Sequence, residues 1–392
     1  MNIPVQNCSS CGACANVCAR DAITMRLDQE GFFRPEIDST RCIKCGACEK
    51  TCPWTHDVLN PHGSTNNPET IAAYAKDESI RMQSSSGGIF TVLAEKVLND
   101  GGVAVGVAQV APTQFEHVVV DAKEDLTKLR GSKYVQANTR LVYNDVRALL
   151  KAGRKVLFSG TPCQVAGLYA VLGKFAETTN LTTVDVVCHG TPSIKVFEKY
   201  ISELERDRGA SVLFSRFRDK RKGWKRFSMT SFFDNNALFS RTLHRDKFMR
   251  VFLDNICLNR SCGDCRYGKI PRIADISLGD FWGVSNHHPE MDDDKGTSIV
   301  FLNTINGKKI FSSVSDEVIQ CESKIEYAVS ANPCIVRSVN PHPKRSEFLK
   351  RLNSESFNML VDEYFPPKSS FSTFFDSVID LLKAIKFKLS HF

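Results

Sequence analysis

Eight cysteines fall within residues 8–52 as two copies of one spacing, Cys8-x2-Cys11-x2-Cys14-x3-Cys18 and Cys42-x2-Cys45-x2-Cys48-x3-Cys52, the second followed by Pro53. Bacterial-type ferredoxins use this spacing for two 4Fe-4S clusters: three thiolates at i, i+3 and i+6 wrap one cubane, and the fourth reaches the other. The spacing therefore groups Cys8, Cys11, Cys14 and Cys52 on one cluster and Cys42, Cys45, Cys48 and Cys18 on the second. Gly12 and Gly46 follow the second cysteine of each repeat, where a residue without Cβ lets the backbone curl around a cluster. Structural zinc more often uses two separated Cys-x2-Cys pairs, and disulfides need an oxidising compartment that nothing in the sequence indicates. Ala19 stands where the first repeat would more often carry proline, which bears on loop rigidity and not on ligation.

Further cysteines follow strand-like runs. Cys163 lies in GTPCQ after KVLFSG, and Cys188 closes TTVDVV in VVCHG. Consecutive parallel strands open their C-terminal ends on one sheet edge, where α/β folds bind cofactors, so these thiols should lie near each other. Cys262 and Cys265 add a Cys-x2-Cys hinge. Four converging thiolates would hold a third 4Fe-4S cluster; four buried core thiols are the alternative. Cys257 complicates the set, because Cys257-x4-Cys262-x2-Cys265 imitates a plant-type 2Fe-2S spacing. Cys321 and Cys334 have no partner pattern and read as core or surface thiols.

Three other features could contact a ligand. The loop Ser84-Ser85-Ser86-Gly87-Gly88 runs into a helix, so its hydroxyls and N–H groups suit a phosphate, or make an ordinary cap and turn. Between Arg216 and Arg226, seven cations interleave with Phe217 and Trp224; such a run is usually a solvated turn, but here it could dock a ring or phosphate. His189 could donate a proton or be a structural histidine. Asp280, in GDFWG, is a turn carboxylate or a substrate contact.

These groups need a scaffold, and the chain of 392 residues is long enough for two to three domains. Residues 53–69 read as a linker. From about Thr70, strands IAAYA, VAVGVA, KVLFSG and TTVDVV alternate with helices over Ile89 to about Asn99, about Asn138 to Ala152, from about Val165 and from about Ser193. Strands apolar on both faces predict a parallel, sheet-centred α/β fold. After about Ala210 the pattern turns antiparallel, with VLFSRFR, RFSMTSFF and ALFSRTL, a short helix near Lys247 to Asn255, and strands ADISLGDFWG and TSIVFLNT. The expected fold class is thus a small ferredoxin-like domain followed by an α/β and α+β body with an antiparallel β region. Residues 366–392 carry phenylalanines and aliphatics at helical spacing, predicting an amphipathic helix that packs on its own domain or docks on a membrane surface or a partner. Fifteen cysteines, no signal-peptide pattern and no long apolar run lead us to expect a cytoplasmic protein with bound metal. A net charge of +7 without a nucleic-acid motif points to a small, acidic or phosphorylated partner.

The blocks SSSGGIFTVLAEKVL, LRGSKYVQAN, VLFSGTPCQVAGL, VDVVCHGTPS and CGDCRYGKIPRIADISLGDFWG, in that order from about Ile71 to Thr304, resemble the family of coenzyme F420 hydrogenase/dehydrogenase beta subunits. The resemblance implies FAD beside a 4Fe-4S cluster. It also implies that Ser84, Ser85, Ser86, Gly87 and Gly88 lie at the FAD, that Gly131, Ser132, Lys133 and Tyr134 help line the flavin pocket, and that Cys163, Cys188, Cys262 and Cys265 hold the extra cluster. A ferredoxin fused to the N-terminal side is one arrangement found in that family. The expected units are a ferredoxin-type domain over 1–60, an N-terminal-like flavin-binding region over 70–155 and a C-terminal-like region over 156–345. The expected function is an iron–sulfur flavoprotein oxidoreductase, since clusters carry single electrons and hydride chemistry moves two. The alternatives are an electron-transfer subunit whose substrate chemistry lies in another polypeptide and a non-enzymatic cluster-bearing sensor. A redox donor or acceptor protein is the expected macromolecular partner, and the substrate stays open.

Overall fold

A computed structural model describes residues 5–366, so the expected helix over 366–392 lies, but for its first residue, outside the described residues. The two cysteine repeats fold as related halves. The short helices α1 (Ala13–Asn16) and α2 (Ala47–Lys50) each start at a left-handed glycine, Gly12 at φ 76° and Gly46 at φ 74°. A hairpin of β1 (Ile23–Leu27) and β2 (Phe33–Ile37) joins them. Its turn is held by Asp28, whose Oδ1 accepts from the N–H groups of Glu30 and Phe32, each at 2.9 Å.

The body is built on β3 (Glu69–Ala75), β4 (Val103–Ala111), β5 (Gln114–Val120), β6 (Val156–Gly160) and β7 (Leu181–Val186). Then β8 (Val212–Asp219), β9 (Ser228–Phe233) and β10 (Leu238–Thr242) form a separate three-stranded antiparallel sheet, before β11 (Ile276–Asp280), β12 (Ser298–Leu302) and β13 (Val318–Glu322) return to the first. The large sheet runs β13-β3-β12-β11-β7-β6-β4-β5. Only its centre is parallel, through the pairs β4·β6, β6·β7 and β7·β11; β12, β3, β13 and β5 are antiparallel additions. The expected parallel sheet is therefore a mixed one. β5 and β12 follow β4 and β11 without an α-helical crossover to enforce parallel pairing, whereas β13 is reached through a helix over Ile305–Ser312 and pairs antiparallel with β3.

Helices α3 (Glu78–Gln83), α4 (Ile89–Asn99), α5 (Val142–Lys151) and α6 (Pro162–Leu172) surround the sheet, followed by α7 (Ile194–Arg208) and α8 (Lys247–Leu253). One core cluster joins Val142, Tyr143 and Val146 of α5 to Val165 and Leu168 of α6 and to Phe158. Another joins Ile89, Val92 and Leu93 of α4 to Leu157, Val184 and Val300. Burial on both faces explains why β6 and β12 read as near-continuous apolar runs; β7, equally buried, carries Thr183 and Asp185, which bond Asp275 and Arg272. α6 starts earlier than expected because Thr161 and Gln164 form a capping box around Pro162. α5 starts later because Asn138 still pairs with β5, exchanging bonds with Phe115 and His117.

The ferredoxin unit is fastened to this body along its length. Tyr143 Oη lies 2.7 Å from Cys11 O and 3.0 Å from Gln164 O. Asn259 Nδ2 donates to Cys8 O at 3.1 Å, and its Oδ1 accepts from Arg34 Nη2 at 3.2 Å. Arg345 pairs with Glu30 at 2.7 Å, and Gly31, at φ +80°, leaves a Cβ no room against Ser193 and Lys195.

Candidate functional site

The C-terminal edge of the parallel strands gathers the core thiols. Beyond β6, Thr161 Oγ1 lies 3.2 Å from Cys163 Sγ in the first turn of α6. Beyond β7 come Cys188 and His189, and then the 190–193 segment runs beside 257–259, linked by Ser193 N to Cys257 O, by Asn259 N to Thr191 O and by a Pro192–Leu258 bridge. That pairing carries Cys262 to the same place, where it accepts from Thr191 N–H at 3.3 Å. Cys163 and Cys188 are each close enough to Cys262 and Cys265 for charge to act between them. Burial pushes the Cys163 thiol up to about 12 and Cys262 to about 11, and raises Cys188 well above the usual thiol range. Thiols so crowded and desolvated resist ionising alone; a cationic core that binds them as thiolates removes that conflict, so the donor set fits a cluster. Cys257 turns away into the apolar core, fully buried, its Sγ directed at Val251 O.

In the ferredoxin unit, Cys8, Cys11, Cys14 and Cys52 interact as one charge group. Backbone N–H groups point at sulfur from Ser10 to Cys8, from Ala22 to Cys18 and from Lys44 to Cys42, at 3.3, 3.3 and 3.4 Å. Cys45 is exposed. Cys11 lies on the inner side: a Cβ added to Gly167 of α6 would come within 3.3 Å of its Sγ, and charge acts between Cys11 and Cys163.

Beside Cys188 opens a cleft of about 500 Å³. Ser84, Ser85, Ser86, Gly88 and the Gly131 to Tyr134 loop all line it, as do Cys188, His189 and Asp280. The serine hydroxyls are largely committed: Ser84 Oγ donates to Ile80 O at 2.7 Å, Ser86 Oγ to Thr297 O at 2.9 Å, and Ser85 Oγ accepts from Ser132 N–H at 2.6 Å. Gly87 faces the sheet. Its N–H donates to Ser298 Oγ, and a Cβ there would fall 2.4 Å from Ala73 O, so glycine is required by packing. Lys133 Nζ is spent on the carbonyls of Lys128, Leu129 and Arg130; burial draws its pKa down to about 7.

The basic segment differs most from expectation. Phe217 and Trp224 are fully buried, Phe217 among the rings of Phe115, Phe197 and Phe248 and Trp224 stacked on Trp282 at 4.5 Å. They form wall, not a docking face. Lys220 Nζ donates to the carbonyls of Arg81, Ser86 and Lys295 and props the serine loop. Arg218 reaches the cleft. Its guanidinium forms a two-pronged bond to Asp280 at 2.7 and 3.0 Å, donates to Tyr134 Oη at 3.0 Å, and lies 4.0 Å from the Phe227 ring centre. Burial opposes its charge, but Asp280 holds it protonated, its pKa above the usual arginine value. Asp280 also accepts from Trp224 Nε1 at 2.9 Å, so both its oxygens are engaged and it orients Arg218. His189 sits edge-on to Phe252, with Nδ1 3.8 Å from Cys334 Sγ; burial lowers its pKa and favours the neutral ring. Reading the sequence missed Arg218 as the anchor and Cys334 as a lining residue; GDFWG marked the wall that holds the first, and nothing local marked the second.

Family models match along most of this architecture: a 4Fe-4S dicluster domain over residues 7–56, the N-terminal part of the coenzyme F420 hydrogenase/dehydrogenase beta subunit over 70–142, and the C terminus of the same polypeptide over 153–327. An uncharacterized protein of Methanocaldococcus jannaschii is 26% identical over 42% of this chain and 52% of its own length, so the chain spans about half of that relative. One component of the F(420)H(2) dehydrogenase of Methanosarcina mazei is 23% identical over 79% of this chain and 83% of its own. Coenzyme F420-dependent sulfite reductase of M. jannaschii is 29% identical over 41% of this chain, but over only 24% of its own length. A chain of the F420-reducing [NiFe] hydrogenase complex from Methanosarcina barkeri aligns at a TM-score of 0.49 and 20% identity, over 78% of this chain and 94% of that one. The chain belongs to the family of coenzyme F420 hydrogenase/dehydrogenase beta subunits and carries a 4Fe-4S dicluster domain at its N-terminal end.

Proposed function

We propose that this chain is an iron–sulfur flavoprotein component of an oxidoreductase, relaying electrons between a redox partner at the ferredoxin end and an organic hydride donor or acceptor in the cleft. The observation that carries the reading is the succession of thiol groups. Cys45 is exposed, Cys11 packs on α6, the first turn of α6 holds Cys163, and Cys188 lines the cleft. Iron–sulfur clusters exchange single electrons and a flavin exchanges one or two, so FAD in the cleft would supply the link to hydride chemistry.

The residues have separable tasks under this reading. Cys163, Cys188, Cys262 and Cys265 would hold the third cluster. The Ser85 and Gly131 to Tyr134 backbone would cradle the cofactor, and the cleft volume suits a ligand of that size. Arg218 offers a fixed cation in the cleft wall; with its Nη groups bonded to Asp280, Tyr134 and Ser85 O, it would act on a bound phosphate or an electron-rich ring edge through its charge. Asp280 and Trp224 position that cation. His189, neutral, can hold one proton on a ring nitrogen beside the bound substrate. A partner protein would approach the exposed turn at Ile43 and Cys45. The relative named for F(420)H(2) makes a deazaflavin of the F420 class the first substrate to assay. The units 1–60, 70–155 and 156–345 are the divisions we propose for cluster binding, flavin binding and substrate chemistry.

The test is anaerobic purification of the chain, measurement of FAD, and photometric assay of F420 reduction and F420H2 oxidation with an artificial one-electron partner. About one FAD per chain, together with turnover, is the expected result. An iron-complete chain that stays without flavin when FAD is supplied overturns the proposal. Bound flavin without turnover would place the substrate chemistry on another polypeptide.

A further inference from the structure

Far along the sheet from the β6 and β7 ends, three side chains of different chemistry meet. His288 and Glu290 lie in the loop between β11 and β12, and Cys321 lies on the edge strand β13, opposite Ala72 of β3. His288 Nδ1 is 3.5 Å from Cys321 Sγ and 3.8 Å from Glu290 Oε1, and the three donor atoms all fall within 4.8 Å of one another. We propose that His288, Glu290 and Cys321 bind a divalent ion of the zinc class.

The geometry fits. A tetrahedral zinc ion, with bonds of ~2.3 Å to sulfur and ~2.0 Å to nitrogen, holds those ligands ~3.5 Å apart, the separation seen between Cys321 and His288. His288 is already oriented for ligation. Its Nε2 lies 2.9 Å from Ser323 Oγ, which can accept the Nε2 proton and leave the Nδ1 lone pair facing the thiol and carboxylate. The ring is steadied by Phe281 and Tyr327, with centroids 6.0 and 6.2 Å away. Glu290 is the exposed ligand, with 64% of its side chain open to solvent, and a change of rotamer would bring it in to close the set.

The donor set also selects the metal. Sulfur, imidazole and one carboxylate disfavour calcium and magnesium, which want oxygen, and suit a borderline ion such as zinc. One cysteine cannot hold a 4Fe-4S cluster, so the site is separate from the electron path. Three protein ligands leave a fourth position for water. The ion would clamp the edge strand β13 to the loop that begins with Phe281 and Trp282; Phe281 belongs to the core cluster of Trp224, behind the cleft wall.

The test uses the full chain, purified anaerobically with its clusters, dialysed against zinc and then against buffer. The result expected is about one zinc per chain, with an X-ray absorption signature of one sulfur and three lighter ligands. Cys321→Ser and the surface substitution Glu290→Gln should each lower zinc occupancy while leaving iron content unchanged. Ser323→Ala should weaken binding by about 10–100-fold. No retained zinc in the unsubstituted chain overturns the proposal, because it leaves only a thiol–imidazole hydrogen bond. Zinc bound by several sulfurs and indifferent to Cys321→Ser overturns it equally, since it would then occupy a ferredoxin position.

Discussion

The ferredoxin unit takes its eight cysteines from residues 8–52, whereas the thiols at the sheet edge come from three segments, around 163, 188 and 262–265. In the first, two left-handed glycines and short helices present the ligands, and little beyond the repeat is required. In the second, the thiols meet only because the sheet brings three segments together: the first turn of α6 carries Cys163 beyond β6, Cys188 follows the end of β7, and the pairing of 190–193 with 257–259 brings in Cys262 and Cys265. A local set binds wherever its loop folds; a distributed set binds only if the whole sheet forms. The two should therefore fail in different ways.

The largest expected effect breaks the distributed set. Cys188→Ser should cost about four irons and all electron delivery to the cleft, leaving the ferredoxin EPR signals in place. Cys45→Ser should also cost about four irons, but it should leave the cleft's cofactor content unchanged. Iron analysis and EPR on both variants decide whether the groups are independent.

Arg218→Met comes next. It removes one partner of a pair in which Arg218 is 3% and Asp280 17% exposed, at a cost of roughly 3 kcal/mol, near the low end for buried pairs because Asp280 keeps some solvent. Denaturant midpoints measure it, and Arg218→Lys should recover the charge but not the two-pronged geometry. Gly31→Ala should cost more than its left-handed backbone alone, about 1–2 kcal/mol, because the new Cβ would meet Ser193 Oγ at 2.5 Å and Lys195 Cβ at 2.6 Å. Gly153→Ala, at φ +73° with nothing within 4 Å, supplies the backbone cost by itself. A larger loss for Gly31 would show that docking of the ferredoxin unit stabilises the body.

The smallest effect is one of pH. His62, in the linker, binds Asp275 through Nδ1 at 2.7 Å, and that hydrogen bond raises its pKa. A raised histidine stabilises fully below its unfolded value of ~6.5, and the contribution fades as pH rises through the folded value. The stability gap between the native chain and His62→Gln should therefore be widest in mild acid and narrow above neutrality, as read by thermal melts across pH.

What could be read without coordinates follows the same division. Ligands at fixed short spacing announced themselves, and so did β6, whose apolar run reflects burial on both faces. The edge strands β5 and β13 did not: VIQCE of β13 is short and polar, and its pairing with β3 spans most of the chain. Nor did the roles of the cations. Arg218 and Lys220 look alike in a basic run and both reach the serine loop, at Ser85 O and Ser86 O, yet Arg218, still within β8, meets Asp280 while Lys220, just beyond its end, meets only carbonyls. Gly87 looked like a cofactor glycine, but its constraint is the backbone of β3. The partners of Arg218 and Lys220 lie more than sixty residues away, and such pairings leave no local pattern.

The claim on which the electron path rests is that the sheet edge binds a cluster of its own. Iron and acid-labile sulfide should be counted on the anaerobically purified chain, with Mössbauer spectra to confirm cluster type. About twelve of each per chain are expected, as three cubanes. A count of about eight, with Cys163, Cys188, Cys262 and Cys265 all free to alkylation, would contradict it.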